Sequence, residues 1–291
     1  IAAAVSLIDT ASHAVVATVE LPNGSSSLRD IAISPDGHYA VVSHILSRYH
    51  LPTTQLERGW MNTNGFSIID LTEHTVLNTV LLDDVDLGAA NPWAVAFDDA
   101  GRRLWVTHGG THEVSVIDWP ALLDRLAALD ADAAANVPNR LSFLLGLRDR
   151  IRMDGLGPRA LAVHGEGVLV AEYFTDSVGV VELADGRAVV ASLSLNDPKP
   201  VDPVRQGEIF FNDAALCFQQ WQSCASCHPD ARTDGLNWDL LNDGIGNPKN
   251  TRSMLLSHQT PPVMSLGVRA AAEVAVRSGI KFIQFAVRPE E

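Results

Sequence analysis

Three residues in the last third of the chain have the types and the spacing of a covalent haem site. Cys224 and Cys227 lie three positions apart and His228 follows directly, within WQSCASCHPDARTDG at 221–235. Cys-x-x-Cys-His is the attachment motif of c-type haem. Two thiols at this spacing can add across the two vinyl groups of one porphyrin, and the next imidazole then binds the iron. We therefore predict one covalent haem c with His228 as the proximal ligand, and no other metal.

Two other chemistries remain open for these cysteines. A zinc site needs a second ligand pair, and Cys217 and His258 would have to serve. A thioredoxin-like redox pair expects a strand–helix–strand context, which the flanking sequence does not offer. Cys217 precedes Cys224 by too many residues to attach the same haem, and we expect it to be a small buried apolar residue.

The sixth iron ligand has several candidates. Met264 is the first, because a methionine beside prolines in TPPVMSLG resembles the ligand loops of small cytochromes c. His258 and Met254 are the alternatives, and an open position that admits peroxide or carbon monoxide is a further option. Met264 also fits a plain role as a filler of a loop or core.

Two more residues follow the motif closely enough to reach a haem. Arg232 is expected to pair with a haem propionate, because a guanidinium is a fork-shaped donor to carboxylates. Trp238 is expected to line the haem edge. A surface ion pair for Arg232 and a core position for Trp238 are equally good interpretations, and both stay open at this point.

The first two thirds of the chain repeat a unit of alternating apolar strands and tight turns. Each unit reads as strand, turn and strand, with turns such as Pro35-Asp36-Gly37, and a second hairpin follows it. Two hairpins make a four-stranded blade, and such blades at intervals of roughly 40–45 residues predict a β-propeller rather than a β-sandwich. The three complete blades and one outer hairpin are predicted at 28–82, 91–118, 158–195 and 3–21.

Two insertions stretch the repeat. One, at 45–64, is interpreted as a self-packed loop, with partner docking as the alternative. The other, at 119–155, is predicted to form a helix over 120–135 and a second amphipathic helix over 140–151. Because a propeller closes with at least four blades, we expect the chain to be a fragment of a longer propeller, with a four-bladed ring as the alternative.

Composition and charge narrow the function classes. The chain has 291 residues, 46% of them hydrophobic, and a formal net charge of −14, which is an ordinary globular composition apart from its acidity. The acidity argues against nucleic acid and anionic lipid, but it permits docking to a basic redox protein. No apolar stretch is long enough to span a membrane. The start at Ile1 is expected to reflect either a removed signal peptide or a missing N-terminal part.

Two family resemblances extend these predictions. The SPDG turn at 34–37 and LWVTHGGTHEVSVID at 104–118 resemble YVTN-type propellers, over 1–195. The phrases RQGEIFFND, SCASCHPDARTDG and GIGNPKNTRSMLL resemble the bacterial di-haem cytochrome c peroxidase family, over 204–291. That second resemblance implies an α-helical cytochrome c fold, haem c and electron transfer. This sequence has one CxxCH where the peroxidases carry two haems, so peroxidase activity would need a second haem domain beyond the fragment.

The sequence as a whole predicts a multidomain chain, all-β and then all-α. A partial β-propeller of four-stranded blades at 1–198 precedes a helical cytochrome c domain at 199–291. The predicted function is electron transfer through haem c to or from a small cytochrome or cupredoxin-like partner. A fragment of a peroxide-reducing di-haem enzyme is the alternative, and a propeller dehydrogenase with its own haem acceptor is the weaker one. Haem c attachment implies an exported, periplasmic protein.

Overall fold

Four-stranded antiparallel sheets dominate the computed structural model, which describes residues 3–53, 61–184, 187–196, 201–240 and 245–285. A two-stranded hairpin precedes three larger sheets, one of five strands and two of four. The strands of the first half are β1 Ala4–Asp9, β2 Ala14–Glu20, β3 Ser25–Ser26, β4 Ile31–Ile33, β5 Tyr39–Ser47, β6 Asn62–Asp70, β7 Thr75–Leu81 and β8 Pro92–Phe97. The strands that follow are β9 Arg103–His108, β10 Glu113–Asp118, β11 Arg148–Arg152, β12 Pro158–His164, β13 Gly167–Glu172, β14 Ser177–Ala184 and β15 Arg187–Ser194.

The sheet order confirms the predicted propeller-like blades. Strands β1 and β2 form the outer hairpin, β4 to β7 the first complete blade, β8 to β11 the second and β12 to β15 the third. Within each blade, every strand pairs with the next one along the chain, and β3 adds a short pairing to β5. The first strands of successive blades, β4, β8 and β12, contact one another and therefore form the inner side of the arc.

Apolar side chains fill the spaces between successive blades. Alternation along each strand sends every second side chain to one face, so a blade presents an apolar face to each neighbour. Three separate clusters of buried residues result, one for each interface between neighbouring blades. Representative members from the two sides of these interfaces are Val19 and Val42, Phe66 and Val106, and Trp105 and Val170.

A buried polar pair joins the second and third strands of each complete blade. A histidine or glutamate of the second strand bonds to a serine of the third strand. The pairs are His44 with Ser67 at 2.7 Å, His108 with Ser115 at 2.8 Å, and Glu172 with Ser177 at 2.5 Å. Burial lowers the pKa of His44 to about 4 and lowers that of His108 as well. The neutral imidazoles are therefore structural hydrogen-bond partners within the blades.

The insertion at 119–155 differs in part from its prediction. Helices α1 Trp119–Ala127 and α2 Ala131–Ala135 form within the predicted helical stretch, each capped by an aspartate side chain. The second helix predicted over 140–151 is wrong. Residues 148–152 form β11, whose apolar Ile151 pairs with Val114 and completes the second blade. Of the loop predicted at 45–64, residues 54–60 lie outside the described residues.

The helical cytochrome c domain expected after the propeller is a wrong prediction. The described part of the chain is mostly β, with 38% strand and 22% helix. Only three short α-helices occur among the described residues beyond 200, and prolines and glycines interrupt the sequence between them. They are α3 Pro203–Asn212, α4 Cys224–Cys227 and α5 Ala272–Phe282, with the small strands β16 Asn237–Trp238 and β17 Lys249–Asn250. The predicted boundary at 198/199 falls within 197–200, which lies outside the described residues.

Candidate functional site

The three residues of the attachment motif lie on one short turn. Cys224 and Cys227 are the first and last residues of α4, and His228 ends the helix. The His228 N–H donates to the carbonyl of Cys224 at 3.0 Å. At the other end, the Ser226 hydroxyl accepts from the N–H of Ser223 at 3.0 Å. The local sequence therefore closes a single helical turn that places both sulfurs and the imidazole together.

Asn91, just before β8 of the propeller, holds this turn. Its side-chain amide donates to the Ser223 hydroxyl at 2.7 Å, and its carbonyl oxygen accepts from the Ser226 hydroxyl at 2.7 Å. All three side chains are buried. The nitrogen and the oxygen of the Asn91 amide each form a hydrogen bond. These two bonds fix the orientation of the amide and hold the turn in place.

A second set of contacts joins the propeller to the residues that lead into the turn. Asn64 on β6 donates to the Trp221 carbonyl at 3.0 Å, and the Gly88 N–H donates to the Gln219 carbonyl at 2.8 Å. Only glycine fits at position 88, because a Cβ on Gly88 would lie 2.4 Å from the Trp221 Cα. The attachment turn is thus packed directly on the propeller.

The thiols of the candidate site are free, and burial disfavours their ionised form. Cys217, Cys224 and Cys227 form no disulfide. Burial raises the pKa of Cys217 to about 11 and raises the pKa of both Cys224 and Cys227. Disulfide exchange requires a thiolate, so this environment disfavours a redox-active cysteine pair. A thioether is neutral, and it suits a buried apolar site.

Each attachment sulfur also meets one buried amide. Asn62 Nδ2, from β6 of the propeller, lies 3.3 Å from Cys227 Sγ. Gln284 Nε2, beyond the end of α5, lies 3.4 Å from Cys224 Sγ. The two sulfurs are therefore approached from two different parts of the chain.

The half-buried His228 ring has one nitrogen engaged. Its Nδ1 lies 3.3 Å from the carbonyl oxygen of Arg232, which makes Nδ1 the protonated nitrogen. No hydrogen bond to Nε2 exists within the part of the chain that the structure describes. Iron-bound histidines commonly donate their other ring N–H to a carbonyl, so this arrangement suits a proximal ligand.

Residues 245–283 have apolar side chains but form no buried cluster among themselves. This segment lies against the turn at both ends, since the Met254 N–H donates to the Ala231 carbonyl at 2.9 Å and Gln284 reaches Cys224. Between 245 and 283 the structure shows no buried side chain. Two of the apolar side chains there are largely in solvent, since Leu266 is 96% exposed and Val268 is 57% exposed. A porphyrin is an apolar group large enough to bury several such side chains, so the residues present fit haem c.

Trp238 and Arg232, the two further haem contacts predicted from sequence, lie in different surroundings. Trp238 is 3% exposed, packs in the cluster that contains Cys227, and donates to Asp234 at 2.8 Å. It therefore occupies a core position beside an attachment sulfur. Arg232 is exposed, and its contact with His228 is made by its carbonyl. Propionate binding by the Arg232 guanidinium stays a prediction.

The three candidate sixth ligands lie in different surroundings. Met254 is half-buried, and its N–H reaches the segment just after His228. His258 is exposed and its Nε2 lies 3.1 Å from the side chain of Gln259. Met264 is 44% exposed. The structure does not choose among them, and the sixth ligand stays a prediction.

Sequence reasoning missed the propeller side chains that meet the motif. Asn62, Asn64 and Asn91 are buried, and Arg29 reaches Asp230 at 3.3 Å, two residues after His228. The Arg29 guanidinium also stacks 4.2 Å from the centre of the Trp93 ring. The available signal was the polar NTN at 62–64 within an otherwise apolar strand, because buried amides need partners.

Comparisons with known proteins identify related chains. The chain is 31% identical over 186 residues to the beta subunit of hydrazine synthase from Kuenenia stuttgartiensis, covering 62% of this chain and 47% of that subunit. It is 43% identical over 68 residues to the gamma subunit, covering 23% of this chain and 19% of that subunit. The solved Kuenenia stuttgartiensis hydrazine synthase superposes with a TM-score of 0.57 at 26% identity, covering 67% of this chain and 53% of that chain. No family profile matches the chain.

These findings establish homology to hydrazine synthase subunits over the matched stretches. The chain spans about half the length of the beta subunit and a smaller part of the gamma subunit. The resemblance to di-haem cytochrome c peroxidases finds no support in them. Among the described residues, no helix is both long and apolar enough to cross a membrane. Within the same residues, no group of three or more histidine, cysteine and acidic side chains is arranged to hold a metal ion.

Proposed function

We propose that this chain carries one haem c on a propeller platform and exchanges electrons through it with a protein partner. The observation that carries the proposal is the single turn that presents Cys224, Cys227 and His228 together, with both thiols free. The exposed apolar side chains of 245–283 support it, because burial against a macrocycle would stabilise them.

The roles of the chain's own residues follow from their contacts. Bound haem c supplies an iron that accepts and releases one electron at a potential set by its ligands and surroundings. Cys224 and Cys227 would anchor the group as thioethers, and His228 would bind it through Nε2. The Arg232 carbonyl would orient the His228 ring, and Trp238 would keep water from the side of Cys227.

The relatives suggest the setting in which this haem would act. They are named as subunits of a hydrazine synthase, and we propose that this chain is likewise part of a multi-subunit redox assembly.

An exported location follows from the proposed attachment chemistry. In bacteria, haem meets apocytochrome thiols in the periplasm, and the thiols must be kept reduced until they react. We therefore propose that the folded protein works there. Haem c attachment when the chain is directed to the periplasm, and its absence when the chain is kept in the cytoplasm, are the expected results.

The proposed partner is acidic where it approaches the site. The whole chain has a net charge of −14, but 245–285 contains five basic residues and one acidic residue. Arg252, Arg277 and Lys281 are exposed on this segment. Complementary charge steers association and fixes orientation more than it adds affinity. A basic redox partner, expected from the net charge, would instead meet the acidic propeller.

Optical spectra test the proposed function. The chain is produced in the periplasm with haem-maturation machinery, and the reduced spectrum is recorded with and without carbon monoxide. A low-spin spectrum that carbon monoxide leaves unchanged supports an electron carrier with an occupied sixth position. A carbon monoxide shift would replace the carrier proposal by ligand chemistry at an open iron. Failure to incorporate haem would overturn both.

A further inference from the structure

Two buried amides touch the two sulfurs of the attachment turn, one on each. Asn62 Nδ2 lies 3.3 Å from Cys227 Sγ, and Gln284 Nε2 lies 3.4 Å from Cys224 Sγ. Asn62 is 1% exposed and Gln284 is 4% exposed. Amide N–H groups this close to sulfur are weak donors to it, and their desolvation makes the contact costly to leave unused.

The orientation of the Asn62 amide is determined by its other neighbours. Its Oδ1 accepts from the Ser47 hydroxyl at 2.7 Å, and its Nδ2 also donates to Gln222 Oε1 at 2.9 Å. Gln222 is itself held, since its Nε2 donates to the Ile283 carbonyl at 3.1 Å. These bonds leave the Asn62 N–H group, and not its oxygen, facing Cys227.

Gln284 differs, because it has little else to hold it. Its side-chain nitrogen faces Cys224, whereas its Oε1 is buried without a hydrogen-bond partner in the described part of the chain. A buried amide that satisfies only one of its ends calls for an explanation beyond stability. Its contact with the sulfur is the interaction that the structure shows for this side chain.

We propose that Asn62 and Gln284 are positioning residues that orient the two thioether sulfurs and raise the reduction potential of the attached haem. This inference rests on the proposed function. Each amide directs the positive end of an N–H dipole at the edge where the macrocycle is attached, which favours the form that carries the additional electron. Through Asn62 the propeller therefore acts on the haem electrostatically as well as by holding the turn.

The test compares midpoint potentials of Asn62→Leu and Gln284→Leu with the wild type. Both variants keep a side chain of similar volume and lose the donor to sulfur. Asn78→Leu is the matched control, because it removes an amide from β7 of the propeller, where Asn78 Nδ2 donates to the Ala134 carbonyl at 2.9 Å and contacts no sulfur. If Asn62→Leu fails to fold, Gln284→Leu still decides the question, since its oxygen has no described bond to lose.

The expected result is a lower midpoint potential in Asn62→Leu and Gln284→Leu and an unchanged potential in Asn78→Leu. Equal potentials in all variants would overturn the inference and leave the proposed function standing. A shift of the same size in Asn78→Leu would also overturn it, because the loss of any propeller amide would then be enough to change the potential. Absence of haem from the wild-type chain would overturn the proposed function, and this inference with it.

Discussion

Removal of the Asn91 side chain should release the attachment turn from the propeller. Its two hydrogen bonds, both 2.7 Å long, join it to Ser223 and Ser226, which are 3% and 0% exposed. A net contribution of about 0.5–1.5 kcal/mol per bond, with about 1–3 kcal/mol for a serine hydroxyl left buried and unpaired, predicts a loss of roughly 2–6 kcal/mol. Ser226 keeps its bond to the Ser223 N–H, which limits the loss.

The backbone at Asn91 adds a separate effect that a second variant isolates. Asn91 has φ 57°, the left-handed region, which asparagine tolerates better than alanine does. Asn91→Gly removes the side chain without strain, so it should lose only the hydrogen-bond contribution. Asn91→Ala should lose about 1–2 kcal/mol more.

Urea unfolding of the three proteins measures these free energies, and limited proteolysis shows whether the segment after 201 is released first. Early cleavage in that segment, with the propeller intact, is expected in both variants. A stability within about 0.5 kcal/mol of the wild type in both, which is the range of an ordinary surface substitution, would refute the role assigned to Asn91.

Three further predictions concern packing, pH and partner charge. Gly88→Ala should displace the attachment segment and speed its proteolysis, because the new Cβ would lie 2.4 Å from the Trp221 Cα; unchanged cleavage would contradict the packing. Burial lowers the pKa of His44 to about 4, so the stability it contributes is present above pH 6.5 and lost as pH falls toward 4. Urea titrations over that range should show a shallower loss in His44→Gln than in the wild type, and parallel curves would contradict this. Arg277→Glu combined with Lys281→Glu should slow electron transfer to an acidic cupredoxin and weaken its salt dependence in stopped-flow measurements, whereas an unchanged salt dependence would place docking elsewhere.

The blades could be predicted from sequence because their information is local. Alternating apolar residues and turns such as Pro35-Asp36-Gly37 determine hairpins, and the repeat determines their order. The prediction of a helix failed at 148–152, where the charged residues resemble one face of an amphipathic helix. These residues form a strand instead, because they pair with Val114 and its neighbours on β10. Tertiary pairing of this kind has no signature within a short window of sequence.

The attachment motif could be predicted, but its surroundings could not. Cys224, Cys227 and His228 are adjacent in sequence, so their spacing alone suggests the chemistry. Asn62 and Asn91 lie more than a hundred residues away and come to the turn only through folding. The family resemblance led to a helical domain, whereas the segment here packs on the propeller and has only short helices.

Covalent haem is the central claim, and intact-protein mass spectrometry tests it most directly. The chain is purified from a periplasm that contains haem-maturation machinery, and its mass is measured under denaturing conditions that remove non-covalent groups. The account predicts the mass of the polypeptide plus one haem, retained in Cys217→Ala and lost when Cys224 and Cys227 are both replaced by alanine. A wild-type mass equal to the polypeptide alone, or haem that persists in the double variant, would contradict it.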